Sequence, residues 1–474
     1  MGRFRRTCLS PWARNLVHGK SAVERVNAVN LRKPLILTVV ASALVGSLVM
    51  NGISATAASV PGVSSTEIVL GMQLPQTGAA SPGYNKVDDA ARAYFDYVNS
   101  KGGVNGRKIK LVVKDDEYKA GRTITTAREL INNDKIFAFF GSVGTQTHLS
   151  VVKDINRRGI PDLFVNSGYS GFYTDPKKYP NTFGGLGTYT VEAKILGKYL
   201  KEKYPDKKIG ILWQSDDFGR NALAGLTASG LKFEARKTSA SFVAGTQGSI
   251  GLGTQIGQLK ANGVDIVIIA AVSSATAVAY ATAAALSYKP TKWAVISVGA
   301  DSTTFQGILG LRGTPAATSA ALLAGTISAS HAPAPGDADD EYVKAFKKIN
   351  DDFNKATGAG KTWDNNVLQG MNIAYLATAA LLGVGKDLTR AKLVSYLKKN
   401  GANLSSAAFS PLGYSNTTHE AFTGFWIGEY DASLVLKPVG GTRVVYTTDS
   451  ANGPVTVSNY KRPAIAADAL PRVG

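Results

Sequence analysis

Two glycine-rich stretches combine exposed backbone with hydroxyl side chains, which suits them to hold a ligand. In residues 75–83 (PQTGAASPG), Gly78 and Gly83 allow a close approach to the main chain. In residues 139–152 (FFGSVGTQTHLSVV), Thr145 stands where an apolar run gives way to a helical pattern. The free N–H groups of a helix start, together with this hydroxyl, could hold a carboxylate. The alternative is that Thr145 only caps the helix and that both loops are ordinary turns.

A third stretch, residues 166–173 (NSGYSGFY), adds exposed backbone beside Tyr169 and Tyr173. It follows another short apolar run, as the first two stretches do. Three permissive loops at three strand ends favour a ligand-binding mouth in this part of the chain.

Signatures of catalysis are missing from the sequence. It contains no G-x-S-x-G elbow, no phosphate-binding loop and no H-E-x-x-H motif. Residues 248–253 (GSIGLG) are rich in glycine but do not open a dinucleotide-binding unit. Of the four histidines, His18 lies in the N-terminal leader described below, and those at 148, 331 and 419 are spaced too widely to indicate a metal site. The sequence therefore predicts a protein that is not an enzyme and that holds no metal or other cofactor.

The first 57 residues read as a secretory signal peptide. Basic residues precede the apolar run 34–50, and residues 55–57 (ATA) fit a signal-peptidase site. The alternative is an uncleaved anchor, although the run is shorter than the roughly 20 residues that span a bilayer. Cys8, the single cysteine, lies in this leader, so the mature chain has no disulfide and no lipoprotein cysteine.

The mature chain is predicted to be strongly basic. The net charge is +19 for the whole sequence, and the leader contributes eight basic residues and one acidic residue, which leaves +12. Lysine and arginine are scattered and do not alternate with aromatics, so we expect a solvated basic surface and no nucleic-acid partner.

Short apolar runs alternate with amphipathic segments, which is typical of βαβ units and parallel sheets. The first series predicts strands at 67–74, 108–114, 136–140 and 162–166, and helices at 84–101 and 120–133. The second predicts strands at 208–213, 265–271 and 293–298, and helices at 219–230 and 274–287. A helical block (339–400), a strand-rich block (421–446) and a polar, weakly ordered tail (447–474) follow. The expected fold class is α/β with two doubly wound lobes.

The order and spacing of several stretches resemble one protein family over residues 65–440. These stretches are EIVLGMQLPQTG, DYVNSKGGVNGRKIKLVVKDDEY, FFGSVGTQT, GIPDLFVNSG, DDFGRNAL, ANGVDIVIIA, ALSYKP and TGFWIGEYD. The chain resembles the type I periplasmic solute-binding proteins of the leucine/isoleucine/valine-binding group, which serve ABC transporters. The resemblance implies two Rossmann-like lobes joined by three crossover segments near residues 186, 327 and 421. Lobe 1 would comprise 64–185 and 328–420, and lobe 2 would comprise 186–327 and 421–446.

The resemblance also implies a ligand site between the lobes. Thr145 takes the place of a hydroxyl residue that binds the ligand's α-carboxylate, and Ser167, Gly168 and Tyr169 take the place of groups that bind its carboxylate and ammonium. Asp301 takes the place of the acid that pairs with the ammonium, although it could instead be an ordinary helix N-cap.

Three further positions concern the walls of that site. Phe218 matches an aromatic residue at the lip of the cleft. Tyr84 lies one position after the one where the family has an aromatic residue over the side-chain pocket, and Gly83 occupies that position. Val272 replaces a cleft tyrosine, so the pocket departs from that of a strict leucine binder.

The implied function is capture of a small amino acid or related solute and its delivery to an ABC transporter permease. The expected protein is an exported monomer in the periplasm or at the cell surface. The alternative is a receptor-type module that senses a small carboxylate or amide.

Overall fold

The first sheet consists of five parallel strands in the order β2-β1-β3-β4-β5. Leu70 in the central strand lies opposite Leu111 on one side and Ala138 on the other, so apolar side chains align across the sheet. The strands are β1 (Glu67–Leu74), β2 (Lys108–Asp115), β3 (Ala138–Phe140), β4 (Asp162–Val165) and β5 (Thr182–Gly184). The four predicted strands agree with β1 to β4 to within two residues at each end, and β5 was not predicted.

Helices from two separate parts of the chain accompany this sheet. From the first part come α1 (Ser81–Tyr84), α2 (Val87–Ser100), α3 (Ala120–Asn132), α4 (Thr145–Leu149) and α5 (Val152–Arg157). From the later part come α12 (Glu341–Thr357), α13 (Asn365–Val384) and α14 (Arg390–Asn400). Because α2 packs against both α12 and α13, the two parts form one lobe.

The second sheet has nine strands, of which the first five are parallel in the order β7-β6-β8-β9-β10. They are β6 (Ile209–Gln214), β7 (Ser239–Phe242), β8 (Ile266–Ala270), β9 (Lys292–Val295) and β10 (Ile327–Ser330). Antiparallel strands extend it: β11 (Gly424–Tyr430), β12 (Leu436–Pro438), β13 (Val445–Thr447) and β14 (Thr456–Val457). Its helices are α6 (Tyr189–Lys203), α7 (Asp217–Ala228), α8 (Gly253–Ala261), α9 (Ser273–Ala285), α10 (Ser302–Gly310) and α11 (Ala316–Leu323).

This computed structural model describes residues 60–246 and 250–473. The predicted signal peptide and part of the stretch 248–253 lie outside the described residues.

The two lobes are joined by three crossover segments that meet at one place. The first segment contains Gly187, the second contains His331 and the third contains Phe422. A β-bridge joins Gly187 to Phe422, and the His331 ring stacks on the Phe422 ring with their centres 5.1 Å apart. The second crossing follows Ser330, because β10 stays paired in the second sheet up to that residue. The sequence placed it near residue 327.

The helix α13 is the central helix of lobe 1. In the described part of the chain it is the one helix long and apolar enough to cross a membrane. Its most apolar 18-residue stretch has a mean hydropathy of 1.5, and 78% of that stretch is buried inside the protein. Tyr375 on α13 packs edge-on against Tyr94 of α2 at 5.9 Å. Burial of this kind accounts for the hydropathy of a core helix.

The C-terminal segment returns to lobe 1 after its strands have joined the sheet of lobe 2. The Tyr94 hydroxyl donates to the carbonyl of Ala469 at 2.8 Å, and Ala469 is buried. Arg462 pairs with Asp340 at 2.5 Å and lies over the Tyr342 ring at 4.8 Å. The sequence indicated a weakly ordered tail, whereas these residues make specific contacts with both lobes.

We expect Arg462→Met to lower the free energy of unfolding by about 3 to 5 kcal/mol, because it leaves the buried Asp340 carboxylate without its cation. The matched control is Arg472→Met. Arg472 pairs with Asp468 at the surface, where the two side chains are 64% and 45% exposed. The change Arg472→Met should therefore lower the free energy of unfolding by less than about 1 kcal/mol. Urea unfolding of both variants measures the difference. Equal effects would show that the Arg462 contact adds no stability.

His419 is a buried histidine that lies next to the first crossover segment. Its Nδ1 donates to the carbonyl of Thr182 at 2.9 Å, and its ring stacks on Phe183 at 4.1 Å. Burial lowers the pKa of His419 to about 4, and the nearby charge of Lys398 acts in the same direction. The imidazole is therefore neutral in the folded protein at pH 7.

We expect His419 to make the protein acid-sensitive. Its pKa in the folded state is below the unfolded value of 6.5, so its contribution is full above pH 6.5 and is lost as the pH falls towards 4. In His419→Asn, which retains a donor for Thr182, the loss of unfolding free energy between pH 7 and 4.5 should be smaller by about 2 kcal/mol. Urea unfolding across this range measures it. Parallel pH profiles would contradict the assignment.

Candidate functional site

A cavity lies between the two lobes, where loops that follow the strands of both sheets face each other. The volume inside it that the centres of water-sized molecules can occupy is about 90 Å³. Aromatic rings form much of its wall: Tyr84, Tyr118, Tyr189, Phe218 and Tyr430. Parallel strands end at the same edge of a sheet, so this position is the one at which α/β proteins bind ligands.

Three of the predicted site residues line this cavity. Tyr84 belongs to lobe 1, and its hydroxyl donates across the cleft to the carbonyl of Val298 at 2.8 Å. Phe218 and Asp301 reach the cavity from lobe 2, in the first turn of α7 and just before α10. The predicted departure at Val272 is also part of the wall.

The conformation of Gly83 explains how Tyr84 reaches this position. Gly83 has φ of 92°, a conformation that side chains other than glycine rarely adopt. A Cβ at Gly83 would lie 2.6 Å from Oγ1 of Thr304 in lobe 2. The helix expected to start near Tyr84 is therefore interrupted: the short α1 ends there, and α2 begins at Val87.

Asp301 is a helix N-cap that also contacts the other lobe. Its Oδ1 accepts from the N–H of Thr304 at 2.6 Å, as the capping alternative predicted. Its Oδ2 accepts from the N–H of Asn365, the first residue of α13, at 3.2 Å. The carboxylate thus lies between helix starts from two lobes, and it is 3% exposed.

A second carboxylate, Asp364, lies close to Asp301 but outside the cavity lining. Asp364 caps α13 and pairs with Lys86. Burial raises the pKa of Asp364 to about 7, and the charge of Asp301 adds to this shift, while Lys86 opposes it. Among the described residues that line the cavity, none is lysine or arginine. A positively charged group would therefore be favoured at this end.

Thr145 and Ser167 lie beside the cavity without lining it. Their hydroxyls are 2.8 Å apart and both side chains are buried. Thr145 is the first residue of α4, and Gly144 takes the N-cap position that the sequence gave to Thr145. The two hydroxyls already bind each other in this conformation.

Tyr189, which the sequence analysis missed, separates these hydroxyls from the cavity. Burial raises the pKa of Tyr189, and hydrogen bonds with Gly168, Ser167 and Thr145 oppose the shift. Its ring lies 4.5 Å from that of Phe218. No local signal marks Tyr189, because its position depends on the crossover segment that precedes α6.

The remaining predicted residues, Gly168 and Tyr169, pack against neighbouring structure. The carbonyl of Gly168 accepts from the N–H of Tyr189 at 2.8 Å, and a Cβ at Gly168 would lie 2.2 Å from the carbonyl oxygen of Gly187. Tyr169 packs edge-on against Phe172 at 5.1 Å. The structure therefore brings Tyr84, Phe218 and Asp301 together and sets the other four residues behind the wall.

Polar residues on α13 and the second crossover segment complete the lining, and the sequence analysis missed them as well. They are Asn365, Asn366, Gln369 and Asn372 on the helix, with His331 on the crossover segment. A detectable signal was the stretch NNVLQGMN, which places amide side chains three residues apart in an otherwise apolar helix.

The sequence pattern of the periplasmic binding protein family matches residues 67–433. An amino acid binding protein of Pseudomonas aeruginosa is 28% identical over 178 residues, which cover 36% of this chain and 47% of that protein. A Leu/Ile/Val-binding protein homolog of Brucella melitensis is 23% identical over 32% of this chain and 41% of its own length. The chain spans less than half the length of the curated relatives that it matches.

The match to solved structures with the same fold extends over nearly the whole length of those structures. A branched chain amino acid ABC transporter protein from Thermus thermophilus with bound valine gives a TM-score of 0.69 at 18% identity, over 82% of this chain and 98% of that one. A fatty acid ABC transporter substrate-binding protein from Thermomonospora curvata gives 0.66 at 22% identity, over 85% and 97%. The fold, with its two lobes and three crossover segments, is therefore confirmed, and the chain belongs to the type I periplasmic binding proteins of the leucine/isoleucine/valine-binding family.

Proposed function

We propose that this protein captures a small amino acid or a related solute between its two lobes and delivers it to an ABC transporter permease. It acts outside the cytoplasm as a monomer, after removal of the leader near Ala57, and it binds its ligand without chemical turnover. The observation that carries this proposal is the cavity itself, which is walled by Tyr84 from one lobe and by Phe218 and Asp301 from the other.

The names of similar proteins support the ligand class. Relatives of this chain are named for amino acids, and one structural neighbour contains valine, while another is named for fatty acids. The carboxylate of Asp301 favours a ligand with an ammonium group, as amino acids have. Because this wall belongs to both lobes, a ligand between them binds the closed form more tightly than the open one, which drives closure.

The proposed roles of the predicted residues differ. Asp301 pairs with the ammonium group, and Tyr84 and Phe218 form apolar walls. A carboxylate can bind at Thr145, Ser167, Gly168 and Tyr169 only after the Tyr189 hydroxyl has moved away from the first two. That movement is a cost that the ligand must offset.

Three measurements test the proposal. A thermal-shift screen with amino acids, their amides and amines should yield compounds that stabilise the protein, and small-angle scattering should show a smaller radius of gyration with those compounds. Mass spectrometry of molecules released from the purified, denatured protein identifies a natural ligand. Unchanged melting temperatures and scattering profiles throughout the screen would refute capture between the lobes.

We expect Asp301→Asn to weaken binding of an ammonium-bearing ligand by about 10- to 100-fold, since a charge-assisted hydrogen bond contributes about 1.5 to 3 kcal/mol. Asparagine keeps the N-cap acceptor for Thr304 but turns an NH₂ towards the N–H of Asn365, so the melting temperature without ligand should fall, and affinity is compared at a temperature where both proteins are folded. Asp217→Asn, next to Phe218 at the start of α7, is the matched control and should leave affinity unchanged. Calorimetry measures all three proteins. Equal affinity for wild type and Asp301→Asn would remove Asp301 from the site.

A further inference from the structure

The helix α13 carries a stripe of amide side chains that faces the cavity. Asn366, Gln369 and Asn372 are three residues apart and therefore lie on one side of the helix. All three line the cavity, although the rest of α13 is largely apolar and buried. Polar groups in such a helix are unfavourable unless they are hydrogen-bonded, so their partners are informative.

Asn372 presents an unpaired donor. Its side chain is 1% exposed, and its Oδ1 accepts from the N–H of Ala407 at 2.8 Å. A backbone N–H can only donate, so this contact identifies the oxygen and leaves Nδ2 as the other end of the amide. Nδ2 has no hydrogen-bond partner among the described residues. Asn372 therefore offers a fixed N–H donor at the cavity wall.

His331 adds a donor and an acceptor. It is 7% exposed and lies between the crossover segments, stacked on Phe422, and neither ring nitrogen has a hydrogen-bond partner among the described residues. Burial lowers the pKa of His331 to about 4, with a smaller opposing effect from Gln369. A neutral imidazole has one N–H and one bare nitrogen in either tautomer.

Gln369 orients this group of residues. Its Nε2 donates to the carbonyl of Gly185 at 2.7 Å and to Oδ1 of Asn166 at 3.3 Å. These contacts hold the Gln369 side chain against the first crossover segment, next to His331. The hinge end of the cavity thus has at least two neutral donors and one neutral acceptor.

We propose that His331, Gln369 and Asn372 form a subsite for a carboxamide group of the ligand at the hinge end of the cavity. This inference rests on the proposed function, and it names the ligand class for the same cleft: the amide of an amino acid in preference to the free acid. A carboxamide has a carbonyl for the N–H of Asn372 and an NH₂ for the bare nitrogen of His331. A carboxylate has acceptors only, and it would place its charge beside that bare nitrogen without a lysine or arginine in the described lining.

The test is calorimetry at pH 7 with two matched pairs, leucine with leucinamide and valine with valinamide. Each pair keeps the side chain and the ammonium group and changes only the acid into its amide. We expect each amide to bind at least tenfold more tightly than its acid. If the acids bind equally well or better, the subsite is refuted while capture of an amino acid stands. If none of the four compounds binds, the inference fails, and the broader screen then decides whether the proposed function fails with it.

Variants test the residues themselves. Asn372→Asp keeps the acceptor for Ala407 and removes the donor, and His331→Phe keeps the stack on Phe422 and removes both nitrogens. Each should reduce the preference for amide over acid at least fivefold, whereas the exposed Asn403→Asp should leave it unchanged. An amide preference that survives both changes would overturn the assignment. The wild-type comparison remains decisive if a variant does not fold.

A contrary result would be an acid that gains affinity relative to its amide as the pH falls from 7 to 5. His331 would then take up a proton and hold a carboxylate, and the carboxamide assignment would be wrong. The ratio of amide to acid affinity should instead stay constant over this range, because His331 stays neutral until the pH approaches 4, and titration of Asp364 near pH 7 affects both members of a pair alike.

Discussion

Parallel strands end at one edge of their sheet, and in this protein the two sheets turn those edges towards a common cavity. This constraint decides which residues meet. The loop after β1 provides Tyr84, the segment after β6 provides Phe218, the loop after β8 provides Val272, and the segment after β9 provides Asp301. Residues more than 200 positions apart become neighbours because of strand direction alone. Segments that follow strands therefore supply much of the cleft wall, and helix α13 adds its amide side chains to them.

The alternation of apolar runs and amphipathic helices predicted an α/β fold with two doubly wound lobes, because hydrophobic period is a local signal, but it missed the short strands β5, β7 and β10. Of the residues named by resemblance, Tyr84, Phe218 and Asp301 line one cavity between the lobes, and their role in binding stays a prediction. The same reasoning failed to place Tyr189 in the cavity wall, where its ring packs against that of Phe218. That contact depends on the path of a crossover segment between lobes, which no window of sequence records.

The amide stripe of α13 is an intermediate case. Its spacing is visible in the sequence, since amides three residues apart interrupt an apolar helix. The role of the stripe cannot be read from the sequence, because its amide side chains come together with His331 only in the fold, where three chain segments meet. Asp301 shows the reverse situation. Its capping role is a local property that the sequence predicts, and its contact with Asn365 of the other lobe requires the assembled fold.

The C-terminal segment gives the hinge a fourth connection with a defined length. Val457 is paired in the sheet of lobe 2, and Arg462 is bound to Asp340 in lobe 1. The five-residue span between these two anchors reaches at most roughly 17 Å when fully extended. This span therefore limits how far the two lobes can separate, unless Val457 leaves the sheet of lobe 2 or Arg462 leaves Asp340.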